Sequence, residues 1–504
     1  MVESILSGFF EIMHLGNLFA ILVGLYIGVM IGCLPGLSPS MAIALATPFT
    51  FGLNPVAGLS FLLGVYKGGV YGGSISAILL STPGTPEAAA TLLDGYPLVK
   101  QGKARKALDA ALYASIAGDF IGTLLLVSVA PIIAYFALKI GPHEMVPLIV
   151  LALSVIIITL GKNKVKGFIA ACIGGMIALV GVDPMAGSSR FVFNVYELNE
   201  GISLIPFLVG LFAIPEIILV MLEKRKNASD ATKYPQSSDS KLGNERLTLG
   251  EFLHHWKTVI KSALVGGFVG AMPGLGSTAA AFTCYGLAKK TSKEPDKYGN
   301  GSIEGILACE TGNNGTCGPA LIPLLTLGIP GSSTAAVLYG SLLMHGIIPG
   351  PRIFIEHGTI VFAVFIGLII GAILLYPVAL SIIKYAAKVI YKINQGVLFG
   401  AIFLLCLTGS YAIRNSMYDV LTMCIAGLLG YGMKKSGFPL GPALIAFILE
   451  PILERSFRQA MLISANDIYS FISQPIALSI WLISIITLAY GPIKEYFRKE
   501  VTRE

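Results

Sequence analysis

Charged residues are scarce in this sequence. Asp, Glu, Lys and Arg together make up 12 % of its 504 residues, about half the share found in soluble domains. Hydrophobic residues make up 55 %, and the mean hydropathy is +0.78. Because a soluble protein of this size needs more charge to cover its surface, a water-soluble enzyme is excluded. The composition predicts an all-α polytopic membrane protein, since lipid cannot satisfy loose backbone groups, with about 10–12 transmembrane segments of roughly 20 residues each.

Motifs for metals and disulfides are also lacking. The seven cysteines lie in apolar stretches without CxxC spacing, and the six histidines form neither HxxxH nor HExxH, so neither a disulfide framework nor a zinc site is expected. The formal charge of +7 fits the cytoplasmic excess of basic residues in membrane proteins. It does not indicate nucleic-acid binding, because the basic residues form no patch with aromatic ones. No cofactor is predicted.

The clearest polar stretch divides the chain near its middle. Residues 223–261 include EKRKNASDATKYPQSSDSKLGNER and show no apolar period, which is typical of a solvated loop. Its basic residues predict a cytoplasmic linker between a first membrane half, residues 1–222, and a second membrane half, residues 262–504.

Two glycine-rich blocks occur in the same order in both halves, and such paired motifs indicate a duplication. The motif core of repeat 1 spans residues 24–98, and that of repeat 2 spans residues 266–351. The blocks pair as GVMIGCLPGLSPSMA (Gly28–Ala42) with GGFVGAMPGLGSTAA (Gly266–Ala280), and GGVYGGSISAILLSTPGTPEAA (Gly68–Ala89) with GTCGPALIPLLTLGIPGSSTAA (Gly315–Ala336).

The basic residues that flank the two copies predict opposite orientations. Copy one follows residues 1–14, which lack Lys and Arg, and precedes a basic cluster at residues 100–106. Copy two follows a basic cluster at residues 224–226 and precedes Arg352 alone before Lys384. Since basic residues mark the cytoplasmic side, the copies are predicted to form an inverted repeat, an architecture of secondary transporters that alternate access. Parallel repeats remain the alternative.

Each copy contains two Pro-Gly pairs inside apolar runs, and each pair is predicted to break its helix. Proline removes a backbone donor, and glycine permits unusual dihedral angles. The pairs are Pro35–Gly36, Pro83–Gly84, Pro273–Gly274 and Pro330–Gly331. The small residues that follow them, many of them good N-caps, are Ser38, Ser40, Thr85, Gly276, Ser277, Thr278, Ser332 and Ser333.

These breaks predict an anion site. A half-helix N-terminus presents free N–H groups with partial positive charge, and four such ends near the midplane would bind a small anion. The alternative is helix packing through glycine. Packing is favoured for the two GxxxG pairs, Gly28–Gly32 and Gly266–Gly270.

A polar group interrupts the apolar stretch of copy two. Asn313 and Asn314 lie near Thr311, and their amide and hydroxyl oxygens, beside loosened backbone carbonyls, would suit a hard monovalent cation such as Na⁺. Hydrogen bonding between helices is the alternative.

Charged residues within apolar stretches are further candidates, because such residues are expensive in a membrane and usually functional. Glu304 and Glu310 are candidate proton or cation sites, although either could lie at an interface and pair with Lys297. The duplication places Lys67 opposite the second asparagine of copy two, where an ammonium could replace a coupling cation or attract substrate. Asp119 is the nearest candidate partner of Lys67 by depth, and a purely structural pair is the alternative.

These motifs resemble the large membrane subunit of tripartite tricarboxylate transporters (TctA type). The resemblance is carried by YGGSISAILLSTPGTPEAAATLLDGYPL, MPGLGSTAAA and NN…LIPLLTLGIPGSSTAA. It implies a solute:cation symporter that works with a small membrane subunit and an extracytoplasmic solute-binding protein. The implied substrates are small carboxylates such as citrate, and the coupling ion is Na⁺ or H⁺. By position, Ser74 and Ser76 of YGGSIS would contact substrate or ion.

The sequence therefore predicts a binding-protein-dependent permease of the cell membrane. A channel-like anion pore is the alternative function. An intramembrane enzyme is disfavoured because Asp119, Glu304 and Glu310 form no recognisable catalytic pair. Formation of a homo-oligomer stays open.

Overall fold

The structure is a computed structural model that describes residues 2–34, 36–160, 163–183, 185–227, 245–392 and 395–487. Almost all regular structure is helical. The helices of the first half are α1 (Val2–Ile12), α2 (Leu15–Gly32), α3 (Pro39–Ala46), α4 (Pro55–Leu80), α5 (Ala89–Lys100), α6 (Ala104–Ala137), α7 (Pro142–Leu160), α8 (Lys164–Ala178) and α9 (Leu204–Asn227).

The second half continues the helical pattern. Its helices are α10 (Leu249–His254), α11 (Trp256–Ala271), α12 (Gly276–Thr291), α13 (Ile303–Asn314), α14 (Leu321–Leu327), α15 (Ser333–Met344), α16 (Ile353–Glu356), α17 (Gly358–Lys392), α18 (Gln395–Arg414), α19 (Met417–Lys435), α20 (Leu440–Ile463), α21 (Ile468–Ile472) and α22 (Pro475–Thr487). Short 3-10 helices include Thr47–Thr50 and Pro86–Ala88. Strands β1 (Gly181–Val182) and β2 (Ser189–Arg190) pair antiparallel, with Gly181 opposite Arg190.

Five helices of the described chain are long and apolar enough to cross a membrane. They contain Leu15–Gly32, Ala104–Ala137, Pro142–Thr159, Gly358–Ile383 and Gly396–Arg414. This confirms the predicted all-α polytopic membrane class. The predicted total of 10–12 segments is larger and stays a prediction; three further apolar helices, Leu204–Leu219, Ser333–Met344 and Pro475–Thr487, are shorter than a single span.

Helix α4 lies at the centre of the packing. Its apolar residues are spread over all of its faces, as expected of a helix in the interior, and most of its residues are buried, including the polar Lys67 and Ser74. Its apolar side chains contribute to a large cluster with α3, α9, α14 and α15 and to another with α2, α6 and α17.

Glycines allow α2 to lie directly against α4. A Cβ atom added at Gly28 would overlap the carbonyl oxygen of Val65, and one added at Gly32 would overlap that of Gly69. Only glycine permits so close an approach of two backbones. The packing interpretation is therefore confirmed for this GxxxG pair.

The second copy repeats this contact with the corresponding residues. A Cβ atom at Gly266 of α11 would overlap the carbonyl oxygen of Gly312 in α13, and one at Gly270 would lie 2.8 Å from the Cα of Thr316. In the sequence pairing, Gly266 corresponds to Gly28 and Gly312 to Val65. The duplicated motifs thus build the same helix contact twice.

Contacts between the copies are reciprocal. In one direction, Thr47 after α3 hydrogen-bonds Ser341 of α15, with 2.8 Å between the hydroxyl oxygens. In the other, Asp94 of α5 accepts hydrogen bonds at 2.8–2.9 Å from backbone N–H groups of the turn before α13, at residues 299, 301 and 302. In the sequence pairing, α3 corresponds to α12 and α5 to α15. The two contacts are therefore equivalent, because each joins the segment after α3 or α12 of one copy to α15 or α5 of the other.

Helix α6 lies outside the motif blocks but contacts both copies. It packs against α4, α13, α14 and α17. Gly118 of α6 is in close contact with the backbone of Thr311, and a Cβ atom at Gly122 would lie 2.5 Å from the carbonyl oxygen of Gly315. Side chains of α6 therefore face the interior between the copies.

The predicted linker, residues 223–261, contains helical residues at both of its ends. Helix α9 extends to Asn227 and α11 begins at Trp256, while residues 228–244 lie outside the described part. Between them, α10 begins with a capping box formed by Thr248 and Glu251. Lys106 of α6 bridges Glu245 and Glu251 at 2.9 and 2.7 Å, so the linker is tied to the first half.

Candidate functional site

The helices of both copies break at the later Pro-Gly pair. Helix α4 ends at Leu80, Ser81 takes a left-handed conformation (φ 55°), and Pro83–Gly84 precede the 3-10 helix Pro86–Ala88. Helix α14 ends at Leu327 with a left-handed Gly328 (φ 71°), and α15 begins only after Pro330–Gly331. These two predicted breaks are confirmed.

The earlier pairs also lie between helices. Helix α2 ends at Gly32 and α3 begins at Pro39; Pro35 lies outside the described residues, and Gly36 has a φ of +91°. Helix α11 ends at Ala271, and a positive φ requires glycine both at Gly274 (φ +87°) in the break and at Gly276 (φ +67°), the first residue of α12.

Within each copy, the two breaks contact each other. In copy two, the N–H of Gly274 donates to the carbonyl oxygen of Gly331 at 2.6 Å. In copy one, a Cβ atom at Gly84 would overlap the carbonyl oxygen of Gly32. The interrupted segments therefore form one backbone-rich region per copy.

Two of the predicted hydroxyl residues cap the helices that follow the breaks. Ser38 Oγ accepts from the N–H of Met41 at 3.2 Å and lies 3.0 Å from Ser40 Oγ. Ser332 Oγ accepts from the N–H of Ala335 at 3.1 Å. Their predicted N-cap geometry is present, and their contact with substrate stays a prediction.

The start of α12 differs, because its N-cap is Leu275, which has no side-chain oxygen to offer. Ser277 and Thr278 lie in its first turn and are partly exposed, as is Ser333 at the start of α15. The hydroxyl of Ser76 donates to the carbonyl oxygen of Gly73 at 3.1 Å. Amides of the first turn of α12 are thus the best placed of the predicted set to meet an anion.

Glu310 of α13 is the centre of a buried polar cluster. Its side chain has no exposed surface, and its Oε1 accepts hydrogen bonds from the hydroxyls of Ser74 (2.6 Å) and Thr91. Its Oε2 accepts from Ser115 Oγ at 3.2 Å and from Asn314 Nδ2 at 3.3 Å. Donors from α4, α5, α6 and α13 converge on one carboxyl group, and Ser74, predicted with the substrate set, belongs to this cluster.

None of these four partners of Glu310 carries a positive charge. A second carboxyl group, that of Glu87 after the Pro83–Gly84 break, is 6 % exposed and close enough to Glu310 for their charges to repel. Burying carboxylates without a counter-charge is strongly unfavourable. The cluster would therefore gain from a bound cation or proton.

Unpartnered polar atoms accompany the carboxyl group on α13. In the described part of the chain, neither side-chain amide atom of Asn313 has a hydrogen-bond partner, and the Thr311 hydroxyl has none either. Both side chains are fully buried. Buried polar atoms without partners are rare and mark strain, function or a missing ligand. Helix α13 ends at Asn314, and the turn of residues 315–320 separates it from α14. The carbonyl oxygens of Thr311, Asn313 and Asn314 still accept backbone hydrogen bonds, so the availability of loosened carbonyls to a cation stays a prediction.

Lys67 of α4 forms a buried ion pair with Asp119 of α6. The Nζ and Oδ2 atoms are 2.7 Å apart, and the side chains are 2 % and 1 % exposed. The same ammonium group donates to the carbonyl oxygen of Leu368 in α17. The predicted partner is confirmed, while the charge-modulating role of Lys67 and Asp119 stays a prediction.

Glu304 does not pair with Lys297, which corrects that alternative. Glu304 accepts from Thr258 Oγ1 at 2.7 Å and Ser292 Oγ at 3.0 Å, whereas Lys297 pairs with Glu294 at 2.7 Å. Glu304 lies in the first turn of α13, so it hydrogen-bonds to other hydroxyl groups and does not belong to the Glu310 cluster.

Sequence reasoning missed three members of the site. Thr91 and Ser115 donate to Glu310, and Glu87 is close enough for its charge to act on Glu310. Ser115 could have been found because it lies one helical turn before Asp119, so both face the same side of α6. Glu87 could have been found as an acidic residue within the duplicated block.

This all-helical membrane protein has paired interrupted helices, buried charges and unpartnered polar groups. These features define a transporter class, whose binding sites lie at the helix breaks. The chain belongs to the tripartite tricarboxylate transporter TctA family. The sequence model of this family matches residues 18–445.

Two relatives come from Agrobacterium vitis. The chain is 35 % identical over 448 residues to an "Uncharacterized 52.8 kDa protein in TAR-I ttuC' 3'region", covering 88 % of this chain and 86 % of the relative. It is 36 % identical over 215 residues to an "Uncharacterized protein in TAR-II ttuC' 3'region", covering 43 % of this chain and 88 % of the relative. No solved structure matches the chain.

Proposed function

We propose that this membrane protein is the permease of a secondary transporter that takes up a small tricarboxylate or dicarboxylate by symport with Na⁺ or H⁺. Family membership supports transport of this substrate class. The single observation that carries the symport is Glu310, a fully buried carboxyl group with four hydrogen-bond donors and no positive charge among those partners. A coupling cation bound there would compensate the buried charge.

The proposed cation site uses Glu310 together with Asn313, Asn314 and Thr311. Carboxylate, amide and hydroxyl oxygens are the ligands that hard cations prefer. The unpartnered amide of Asn313 and hydroxyl of Thr311 offer such oxygens on the same helix. If the ion is a proton, Glu310 itself carries it.

The substrate carboxylates bind at the breaks between the half-helices. Amides at a helix N-terminus favour a negative charge, and the start of α12, at Gly276, Ser277 and Thr278, lacks a side-chain cap. Because Ser38 and Ser332 already cap α3 and α15, their hydroxyls are less available to substrate than the amides beside them.

Coupling follows from the charges of the two ligands. A bound cation reduces the negative charge of the site, so it raises the affinity for the carboxylate, and by linkage the carboxylate raises the affinity for the cation. The flanking basic residues support an inverted orientation of the copies in the cell membrane, so that rocking one part against the other exposes the site to each side in turn. A small membrane subunit and an extracytoplasmic solute-binding protein complete the proposed transporter.

Counterflow of labelled citrate in proteoliposomes tests this function. The permease is reconstituted with and without its small membrane subunit, and uptake is measured with a Na⁺ gradient, a pH gradient or neither. We expect saturable uptake that one of the two gradients increases and that the solute-binding protein stimulates. Uptake indifferent to both gradients would contradict symport, and currents far above transporter turnover would favour a channel-like anion pore.

A further inference from the structure

Lys67 and Asn314 occupy equivalent places in the two copies. The sequence pairing aligns them, and the structure supports it, because Gly28 meets Val65 of α4 as Gly266 meets Gly312 of α13. Lys67 and Asn314 each lie two residues after these contact points.

Both side chains also reach the same helix. Asn314 Nδ2 donates to Ser115 Oγ of α6 at 2.9 Å, and Lys67 pairs with Asp119 of α6, one helical turn further along. In copy two the neighbouring carboxyl group is Glu310, whose four partners are uncharged. Lys67 of copy one instead has Asp119 of α6, outside the motif blocks, as its neighbouring carboxyl group.

The Lys67 ammonium group has two oxygen partners. Its partners are oxygens, one from the carboxylate of Asp119 at 2.7 Å and one from the backbone carbonyl of Leu368. Oxygen ligands of this kind are the ones that hard cations select. Near Lys67 helix α4 is unbroken from Pro55 to Leu80, whereas the corresponding helix of copy two is interrupted directly after Asn314.

We propose that Lys67 is a tethered cation that permanently fills, in copy one, the counterpart of the exchangeable cation site in copy two. The chain therefore couples transport to one cation fewer than it would with both sites open. This inference rests on the proposed cation site at Glu310, although its test does not require transport. Removing the ammonium group should open an oxygen-lined site that a free cation can enter.

The experiment measures thermal unfolding of the purified Lys67→Ala permease in Li⁺, Na⁺, K⁺ or choline chloride at constant ionic strength and pH. We expect the variant to be less stable than the wild type in choline and to regain stability in a small alkali cation. The wild type should show the smaller cation dependence of the Glu310 site alone. Titration of the ion should show one more bound cation per chain in the variant.

Two matched variants separate a tethered cation from a merely structural ion pair. Lys67→Arg keeps the positive charge, so it should gain no cation site. Lys67→Ala combined with Asp119→Asn removes both charges, so its cation dependence should return to that of the wild type. If Lys67→Ala is equally destabilised in all four salts, or folds in none while the double variant folds, the pair is only structural and the inference is wrong.

The outcomes also separate this inference from the proposed function. A wild type whose stability depends on neither the alkali cations nor pH, with a cation-dependent Lys67→Ala variant, contradicts the Glu310 site and supports a tethered cation at Lys67. A cation-dependent wild type whose Lys67→Ala variant gains nothing contradicts the surrogate role and leaves the Glu310 site supported.

Discussion

Replacing Glu310 with glutamine should separate cation binding from folding. Glutamine keeps the shape of the side chain and can still accept from Ser74 and Thr91, but it removes the charge. Its NH₂ group would face Asn314 Nδ2, another donor, and one such lost hydrogen bond amounts to about 1–2 kcal/mol. Because the variant also no longer buries an uncompensated charge, its free energy of unfolding should change by less than about 2 kcal/mol.

The effect of Glu310→Gln on the affinity for the cation should be much larger. A carboxylate and a monovalent cation about 4 Å apart attract each other by about 4 kcal/mol at an effective dielectric constant of about 20. That attraction corresponds to a dissociation constant weakened by roughly a thousandfold. Thermal unfolding of the purified protein against Na⁺ concentration, with choline keeping the ionic strength constant, measures this shift.

Glu304 provides the matched control, because it lies on the same helix and also accepts hydrogen bonds from hydroxyl groups. Glu304→Gln should leave the cation concentration for half-maximal protection unchanged. If Glu310→Gln retains the Na⁺ protection of the wild type, Glu310 does not bind Na⁺. If protection depends on pH instead and is lost in Glu310→Gln, the ion is a proton.

Three further changes test the packing and the linker. Gly28→Ala should lower the melting temperature, since overpacking of this kind amounts to about 1–3 kcal/mol; Gly16→Ala on the same helix meets no atom within 4 Å and should be neutral or stabilising. Asp94→Ala leaves three backbone N–H groups without their acceptor, so unfolding should become easier by about 3 kcal/mol or more, with faster hydrogen exchange before α13. Hydrogen bonds from Lys106, the largest cause, and from the Thr248 N–H lower the pKa of Glu251 from 4.5 to about 2, so these interactions stabilise the fold above pH 4.5 and their contribution is lost as the pH falls towards 2. The difference in melting temperature between wild type and Glu251→Gln should be small, because Glu251 is 44 % exposed, and should vanish at the acid end; a difference independent of pH would contradict this assignment.

Local chemistry explains what could be predicted from the sequence. Proline and glycine act on their own backbone, so the breaks at Pro83–Gly84 and Pro330–Gly331 follow without knowledge of the rest of the fold. The close approach at Gly28 is likewise visible as a GxxxG pattern. The partner of Lys67 could be predicted because a charge buried in a membrane needs a counter-charge at the same depth.

The Glu310 cluster could not be assembled in this way. Its donors come from four helices, and Thr91 and Ser115 reach the carboxyl group only because α5 and α6 cross α13 at one place. Such crossings depend on packing across long stretches of chain. The contact of Lys106 with Glu251 of α10 could not be predicted for a related reason, since no local pattern reveals it.

The difference between the unbroken α4 and the interrupted α13 has a consequence for the resting state. In a carrier made of two identical inverted halves, swapping their conformations turns an inward-facing molecule into an outward-facing one of equal energy. Here the two copies differ, because Lys67 lies on the unbroken α4 and the uncharged Asn314 lies at the end of α13, so under the predicted inversion the swap is uneven. The empty carrier should therefore prefer one side of the membrane.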